Sequence, residues 1–300
     1  MAYPSDRPDL TIKAVPQRHP FRWLAAGLTA VLIVGVVSSA FTNPRYQWDV
    51  VARWLTDGTI ISGLLLTLQL TCVSMVIGVL MGIVLAVMKG SKNKLLSSTS
   101  SGYIWFFRGT PLLVQLVFWF NISALYPRIA VGLPFGGPDL LSLDANQVIT
   151  PMTAAILGLA LNEAAYMAEI VRAGILSVPP GQIQAANALG MTGLQTTRKI
   201  VLPQAMRVII PPTGNQTISM LKTSSLVSVL AIPDLLYSAQ IVYSRTFQTI
   251  PLLIVASLWY LLVTSLLTVA QSFVERHFSP DADRPDRRFR RSRPRQEGLT

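Results

Sequence analysis

The stretch VPPGQIQAANALGMTGLQTTRKIVLPQ, residues 178–204, lies between two long apolar runs, and its pattern decides the fold. It is polar and basic, and alanine, a strong helix former, fills its interior. A Pro179-Pro180-Gly181 turn opens it, the run from Ile183 to Leu189 predicts a helix, and Gly190 predicts its end. A second amphipathic piece ends at Pro203. The stretch therefore predicts a short helical hairpin, which is a surface suited to docking.

The composition around this hairpin is that of an integral membrane protein. Hydrophobic residues make up 51% of the chain and charged residues 13%, with a mean hydropathy of +0.48. Soluble domains carry about 25% charged residues. The net charge of +11 could suggest a nucleic-acid partner, but the basic residues lie in the tails and in alternate loops. Membrane topology accounts for that distribution better, and we expect no nucleic-acid partner.

Six apolar segments are long enough to cross a hydrocarbon core of about 30 Å. They run at residues 23–41 and at about 60–88, 103–125, 152–171, 208–230 and 251–273. The predicted fold is an all-α membrane protein with six transmembrane helices and polar, disordered tails at 1–22 and 279–300. The first segment could instead be a signal peptide, because Ser38-Ser39-Ala40 resembles a cleavage site.

Lysine and arginine residues predict the orientation of these segments. They concentrate in residues 1–22, 89–102, 172–207 and 275–300. The segments 43–58, 127–150 and 232–250 carry few, roughly matched by aspartates. By the positive-inside rule both termini and the hairpin at 178–204 are cytosolic, and 126–150 and 232–250 are external loops. The predicted location is the cytoplasmic membrane.

The hairpin resembles the cytosolic loop of ABC importer permease subunits, which has the form E-A-A-x-x-x-G-x9-I-x-L-P. The matching residues are Ala185, Ala186, Gly190, Ile200, Leu202 and Pro203, and Gln184 stands in place of the glutamate. The stretches FRGTPLLVQ (107–115), NEAAYMAEI (162–170), RAGI (172–175) and PPTGN (211–215) are similar to the polar amino-acid branch of that family. The resemblance covers residues 58–278, so the helix at 23–41 is additional to a five-helix core.

The resemblance implies a type I importer permease whose loop inserts a coupling helix into an ATP-binding subunit. It implies two such subunits, a second permease that is identical or paralogous, and an extracytoplasmic binding protein. The sequence itself contains no phosphate loop, no metal-ligand pattern and no nucleophile elbow. We therefore expect a transporter subunit that binds no cofactor or metal, with ATP used by the partner. A solvated interfacial hairpin is the alternative for the loop.

Ionisable residues at membrane depth are costly and are therefore candidates for function. Glu163 lies eleven residues inward from Met152, or about 16 Å along a helix, and Lys222 is similarly central in the fifth segment. One hypothesis is that they form a buried ion pair, and the other that they line a pocket for an amino-acid zwitterion. In that pocket Glu163 would favour cationic side chains. Further candidates for this path are Asn162, Tyr166, Ser224, Ser225 and Gln115.

A second group of charged residues lies at the inner ends of the helices. Arg108, Glu169 and Arg172 predict either structural pairing near the interface or a cytosolic gate. Pro211-Pro212 and Gly214 predict a break in the fifth helix, which we expect to line the path because irregular backbone in a membrane needs protein or water beside it.

The sequence predicts the permease subunit of an ATP-driven importer for polar amino acids, cationic ones included. A proton-coupled secondary transporter using Glu163 is one alternative, although we find no inverted repeat of the kind such proteins carry. A non-transporting membrane scaffold is another, and polar residues at mid-span count against it. An ABC permease for a different small solute, such as an opine or a peptide-like compound, is the third.

Overall fold

The apolar segments form helices because a chain in lipid must satisfy its backbone hydrogen bonds within each segment. The computed structural model describes residues 20–132 and 139–278, so the predicted tail at 279–300 and residues 1–19 of the predicted tail at 1–22 lie outside it. Residues 20–22, predicted as the end of that tail, are helical. Within the described residues, four helices are long and apolar enough to span a membrane, and two bent helix pairs could each form another span. Four straight helices and two broken ones thus correspond to the six predicted spans.

Residues 1–48 form a unit of their own. Its described part contains helix α1 (Pro20–Thr42) and a 3-10 turn (Pro44–Tyr46). The indole N–H of Trp48 donates a hydrogen bond to the carbonyl of Ala40 at 2.9 Å, and its ring stacks on Phe41. These contacts fix the chain after the end of α1, whose apolar side chains are exposed as those of a lipid-facing helix are.

The second unit spans residues 49–300 and contains the remaining elements. They are α2 (Trp48–Leu55, beginning at the boundary), α3 (Gly58–Lys89), α4 (Lys94–Gly109), α5 (Leu112–Phe120), α6 (Ile122–Leu125), β1 (Arg128–Gly132), β2 (Asp139–Asp144), α7 (Ala145–Val148), α8 (Pro151–Leu176), α9 (Pro180–Ala188), α10 (Gly193–Thr196), α11 (Leu202–Thr223), α12 (Leu235–Thr246) and α13 (Thr249–Phe278). Helix α8 is the most buried of the spans and contacts α3, α4, α5 and α11.

Helices α3 and α8 approach closely because small residues lie between them. A Cβ added at Gly82 on α3 would lie 2.5 Å from the Cβ of Met167 on α8. On another side of α8, Gly158 allows a similarly close contact with Leu116 of α5. Without a hydrophobic force between helices in lipid, such close contacts supply the packing energy. Buried alanines such as Ala164 and Ala168 continue this surface along α8.

The third predicted span, 103–125, is not one straight helix. It consists of α4 and α5, which meet at an angle of 103°. Thr110 between them is extended, with φ −111° and ψ 144°. Pro111 explains the break, since a proline disfavours helical conformation in the residue before it and donates no backbone hydrogen bond.

The prediction that Pro211-Pro212 breaks the fifth helix is wrong. Helix α11 runs through both prolines without interruption from Leu202 to Thr223. The two prolines leave the carbonyls of Arg207 and Val208 without their usual helical N–H donors. Close by, Thr213 donates to the carbonyl of Ile209 at 2.8 Å, and Gln271 of α13 donates to that of Pro211 at 3.2 Å. The interruption comes later, in a 3-10 segment (Ser224–Leu230) that ends at Ala231 with a left-handed φ of 56°.

The predicted external loops contain regular structure. Residues 126–150 hold the antiparallel pair β1–β2 and the short α7. Residues 232–250 hold α12, which packs between α3 and α13 with Leu235 and Ala239 fully buried. The backbone N–H of Leu235 donates to the hydroxyl of Thr67 on α3 at 3.0 Å. The prediction of a loop at 232–250 is therefore corrected to a packed helix.

The hairpin at 178–204 forms largely as predicted. Helix α9 covers Pro180–Ala188, and Gly190 has φ +74°, a left-handed conformation that glycine adopts without strain. Thr192 and Gln195 then form a capping box for α10. The second piece does not end at Pro203, because a π-helical turn (Thr197–Val201) joins α10 directly to α11. The hairpin is therefore continuous with a spanning helix.

Candidate functional site

Glu163 lies in the middle of α8 with only 4% of its surface exposed. Its Oε1 is buried and accepts no hydrogen bond from any described residue. The side chain of Gln216 on α11 lies beside the carboxyl group, and Gly78 on α3 lies against its aliphatic part. A buried carboxylate without a cationic partner is costly, so the arrangement favours a site that receives its partner from outside the chain.

The hypothesis of a buried ion pair between Glu163 and Lys222 is wrong for the described chain. Lys222 is exposed at the end of α11. Among residues 20–132 and 139–278 the ion pairs are Lys89–Glu169 and Arg172–Glu169, and neither includes Glu163 or Lys222. Lys222 is therefore a cation free to meet a ligand or a second subunit.

Gln115 and Asn162 hold the bend between α4 and α5 against α8. The amide N–H groups of Gln115 donate to the carbonyl of Phe107 at 3.0 Å and to the hydroxyl of Thr110 at 2.7 Å. Asn162 donates to the same Phe107 carbonyl at 3.0 Å and to Gln115 Oε1 at 3.2 Å. Their amide donors thus satisfy the Phe107 carbonyl, which Pro111 leaves without a helical donor, and they support the bend.

Ser224 and Ser225 make local hydrogen bonds. The hydroxyl of Ser224, which is buried, donates to the carbonyl of Leu221 at 2.8 Å, and that of Ser225 donates to the carbonyl of Lys222 at 2.7 Å. Both bonds stabilise the turn where α11 changes to 3-10 geometry. Their oxygens retain capacity to accept a further hydrogen bond.

Glu169 binds two cations at one end of α8. Lys89 Nζ donates to its Oε1 at 2.5 Å, and the guanidinium of Arg172 donates to its Oε2 at 2.9 and 3.1 Å. The pairing of Glu169 with Arg172 has the geometry expected of a structural role. Lys89 was not among the predicted residues, although its position as the first charge after an apolar run was visible in the sequence. The cluster ties the end of α3 to α8.

Arg108 does not join that cluster. Its guanidinium carbon lies 5.3 Å from the centre of the Tyr166 ring, a cation–π arrangement. Both residues line a cavity of about 350 Å³ between α4, α8 and α11. The other lining residues are Glu169, Ile170, Pro211, Pro212, Asn215 and Gln216. Gln216 lines the cavity and also lies beside Glu163, whereas Glu163 itself is not among the lining residues.

The structure thus brings Arg108, Tyr166, Glu169 and the proline pair together, while Gly214 lines a different cavity. Sequence reasoning did not select Asn215 and Gln216 as site residues. The signal for them was available, since two adjacent amides in an apolar helix are unusual at membrane depth.

The hairpin at 178–204, termed the coupling loop below, has one side that is buried against the spanning helices and one side that is exposed. Val178 and Val201 are buried with Ala205 in one apolar cluster, and Ile183 packs against it. Ala186 is also buried, whereas Gln184, Ala185, Gly190, Leu202 and Pro203 are exposed and Ile200 is half-buried. Leu189 and Leu194 are 83% and 79% exposed on either side of Gly190. Both leucines are therefore available for contacts outside the chain.

Comparison with known proteins identifies the family. The model of the family described as binding-protein-dependent transport system inner membrane component matches residues 78–280. The chain belongs to this family. The permease is accordingly a membrane protein of the ABC transporter class, and its coupling loop and Glu163 both lie inside the matched region.

Relatives of this permease transport amino acids and related compounds, by their names. It is 48% identical over 275 residues to the arginine transport system permease protein ArgU of Corynebacterium glutamicum, covering 91% of this chain and 85% of that one. It is 37% identical over 204 residues to the nopaline transport system permease protein NocM of Agrobacterium fabrum, covering 67% and 80%.

A solved structure of an amino acid ABC transporter with histidines is similar in fold and sequence. The TM-score is 0.64 with 39% identity, covering 73% of this chain and 94% of that one. The predicted type I importer permease fold is therefore confirmed, and the chain is an amino-acid ABC transporter permease.

Proposed function

We propose that this permease is the membrane subunit of an ATP-driven importer for polar amino acids, with a preference for cationic side chains. The buried carboxyl group of Glu163, which has no cationic partner in the described chain, is the observation that carries this proposal. A cationic substrate would supply the missing positive charge. The 48% identity to a protein named as an arginine permease supports the same substrate class.

The substrate pocket, in this proposal, lies around Glu163 and the cavity of about 350 Å³ that Gln216 lines. Glu163 faces the positive group of the substrate, and Gln216 and Tyr166 supply hydrogen bonds. Lys222, which forms no ion pair in the described chain, remains the candidate partner for the substrate carboxylate. Arg108, Glu169 and Arg172 lie at the end of the path nearest the coupling loop, where a gate would stand.

Energy reaches this pocket, in the same proposal, through the coupling loop. The sequence has no phosphate-binding loop, so ATP is bound and hydrolysed by two partner subunits, while this chain binds no cofactor. The π-helical turn makes the loop continuous with α11, which carries Gln216 beside Glu163. Displacement of the loop by a partner therefore moves a residue of the pocket, as a driven change between two states requires.

The assembly would contain a second permease subunit, identical or paralogous, and an extracytoplasmic binding protein that delivers the substrate. The distribution of lysine and arginine supports a cytosolic location for both termini and for the coupling loop in this proposal. Lipid covers the apolar exteriors of the spanning helices.

Uptake by the reconstituted complex tests the proposal. The full-length permease is co-expressed with its ATP-binding subunit and binding protein and placed in proteoliposomes that enclose ATP. We expect uptake of labelled arginine that unlabelled lysine or ornithine inhibits more strongly than glutamine or nopaline does. Uptake that needs a proton gradient and no ATP would instead establish the secondary-transporter alternative.

A further inference from the structure

A second cavity lies on the other side of α11, between α3, α8 and α13, with a volume of about 560 Å³. We call it the apolar groove, and its lining residues include Val87, Thr197, Leu202, Ile210, Val274 and Glu275. Val87, Leu202 and Val274 are exposed by 63%, 47% and 43%. The groove is therefore open at the side of the helix bundle.

The groove exists because the two outer helices are bridged at one end only. Near Ile60 and Leu252, α12 joins α3 and α13 in a packed apolar cluster. Near Val87 and Val274, at the end that adjoins the coupling loop, no described helix joins α3 to α13 in this way. In the orientation of the proposed function, on which this inference rests, that end lies in the cytosolic leaflet.

Basic residues stand at the same end of the groove. Arg198 and Lys199 follow Thr197, and Arg276 follows Glu275, where Thr197 and Glu275 are lining residues. All three cations are exposed, and none of their side chains has an ion pair or hydrogen bond within residues 20–132 and 139–278. Glu275 is the one acidic residue of the lining, and its carboxylate already accepts a hydrogen bond from Gln271 at 2.7 Å. Three exposed cations thus lie within two residues of a lining residue at this end of the groove.

We propose that the apolar groove holds an acyl chain of an anionic phospholipid whose phosphate contacts Arg198, Lys199 or Arg276. The volume falls within the range of about 300–1,000 Å³ typical of sites for small molecules, and the lining is almost wholly apolar. The three cations complement the anionic headgroup, and such residues near a cytosolic membrane surface attract anionic lipid. A bound lipid there would contact α11 on the side opposite the substrate pocket.

Native mass spectrometry of the full-length chain in detergent tests the proposal. Palmitoyl-oleoyl phosphatidylglycerol is compared with the phosphatidylcholine of the same chains. We expect preferential retention of phosphatidylglycerol. The double variant Arg198→Gln/Lys199→Gln should weaken it by about fivefold for each charge removed, whereas Arg53→Gln, which changes an exposed arginine on α2, should not.

A second variant tests the apolar part of the groove. Ile210→Trp fills the groove and should reduce retention of both lipids, while Leu65→Trp, at an exposed site of α3 outside the lining, should leave it unchanged. Equal retention of the two lipids, or no effect of either groove variant, would overturn the proposal. So would a cross-link showing that a helix of a second copy occupies the groove. Lipid retention is measured without transport, so a failed uptake experiment with normal retention would count against the proposed function alone.

Discussion

Gly78 on α3 lies directly against Glu163 on α8. A Cβ added at Gly78 would stand 2.8 Å from both the Cβ and the Cγ of the glutamate. The glycine is therefore what allows the Glu163 side chain to lie between α3 and α11 with its carboxyl group beside Gln216. Close helix packing and the position of the candidate binding residue thus depend on the same contact.

Gly78→Ala should disturb both the packing of α3 against α8 and the position of the Glu163 side chain. The added methyl group must displace Glu163 or separate the helices, which costs about 1–3 kcal/mol in a well-packed core. We expect a lower midpoint of thermal unfolding in detergent together with reduced arginine uptake. Gly102→Ala is the matched control, because nothing lies within 4 Å of a Cβ at that position. Wild-type stability and uptake in the Gly78 variant would show that the contact is unimportant.

Glu163→Gln should weaken cationic substrates more than neutral ones. Loss of a hydrogen bond to a charged group costs about 1.5–3 kcal/mol, which is about 10- to 150-fold in affinity. We expect the KM for arginine to rise on that scale while uptake of glutamine changes little. Glutamine uptake serves as the internal control for folding and assembly. Equal losses for both substrates would argue against a pocket role for Glu163.

The Lys89–Glu169–Arg172 cluster should stabilise the fold. The side chains of Lys89 and Glu169 are about a quarter and a fifth exposed, so the pair is intermediate between surface and buried ion pairs. We expect Glu169→Gln to lower the free energy of unfolding by about 1–2 kcal/mol. A double-mutant cycle with Lys89→Gln should give a positive coupling energy, while Lys92→Gln, an exposed cation without an ion pair, should have no effect. A coupling energy of zero would contradict the structural role.

Gly190→Val should distort the coupling loop without preventing membrane insertion. The left-handed φ of +74° is strained for a β-branched residue by about 1–3 kcal/mol, although open space surrounds the position. We expect normal yield of the variant and reduced co-purification with the ATP-binding subunit. Gly193→Val changes a neighbouring exposed glycine without a positive φ and is the control. Normal co-purification of the Gly190 variant would refute the role of this turn.

Local sequence signals predicted the helices and the coupling loop well. Long apolar runs favour helices in lipid, and Gly190 marks the end of a helix through its own backbone conformation. Helix α9 begins at Pro180, three residues before the predicted start at Ile183, and the Thr192–Gln195 capping box was not predicted. The bend at Thr110 could also have been predicted from Pro111, because the effect of a proline on its predecessor is local.

The wrong and missed predictions concern features that involve contacts between residues far apart in the sequence. Pro211-Pro212 does not break α11, and Gln271 of α13, sixty residues away, donates to the Pro211 carbonyl. Helix α12 begins at the N-cap residue Asp234, a local signal, and Thr67 on α3 accepts a further hydrogen bond from Leu235 at its start. Lys89 and Glu169 are 80 residues apart, so no spacing rule could pair them.

The central claim is that the ATP-binding subunit drives the permease through contacts with the coupling loop. The double variant Leu189→Asp/Leu194→Asp tests this claim most directly. Both leucines are already exposed, so the fold should be unaffected while apolar contact with the ATP-binding subunit is lost. The measurement is ATP-dependent arginine uptake in proteoliposomes, with co-purification of the ATP-binding subunit from the same preparation. We expect both to fall at least tenfold at normal permease yield, an effect of about 1.4 kcal/mol or more. Unchanged uptake and co-purification would contradict the claim.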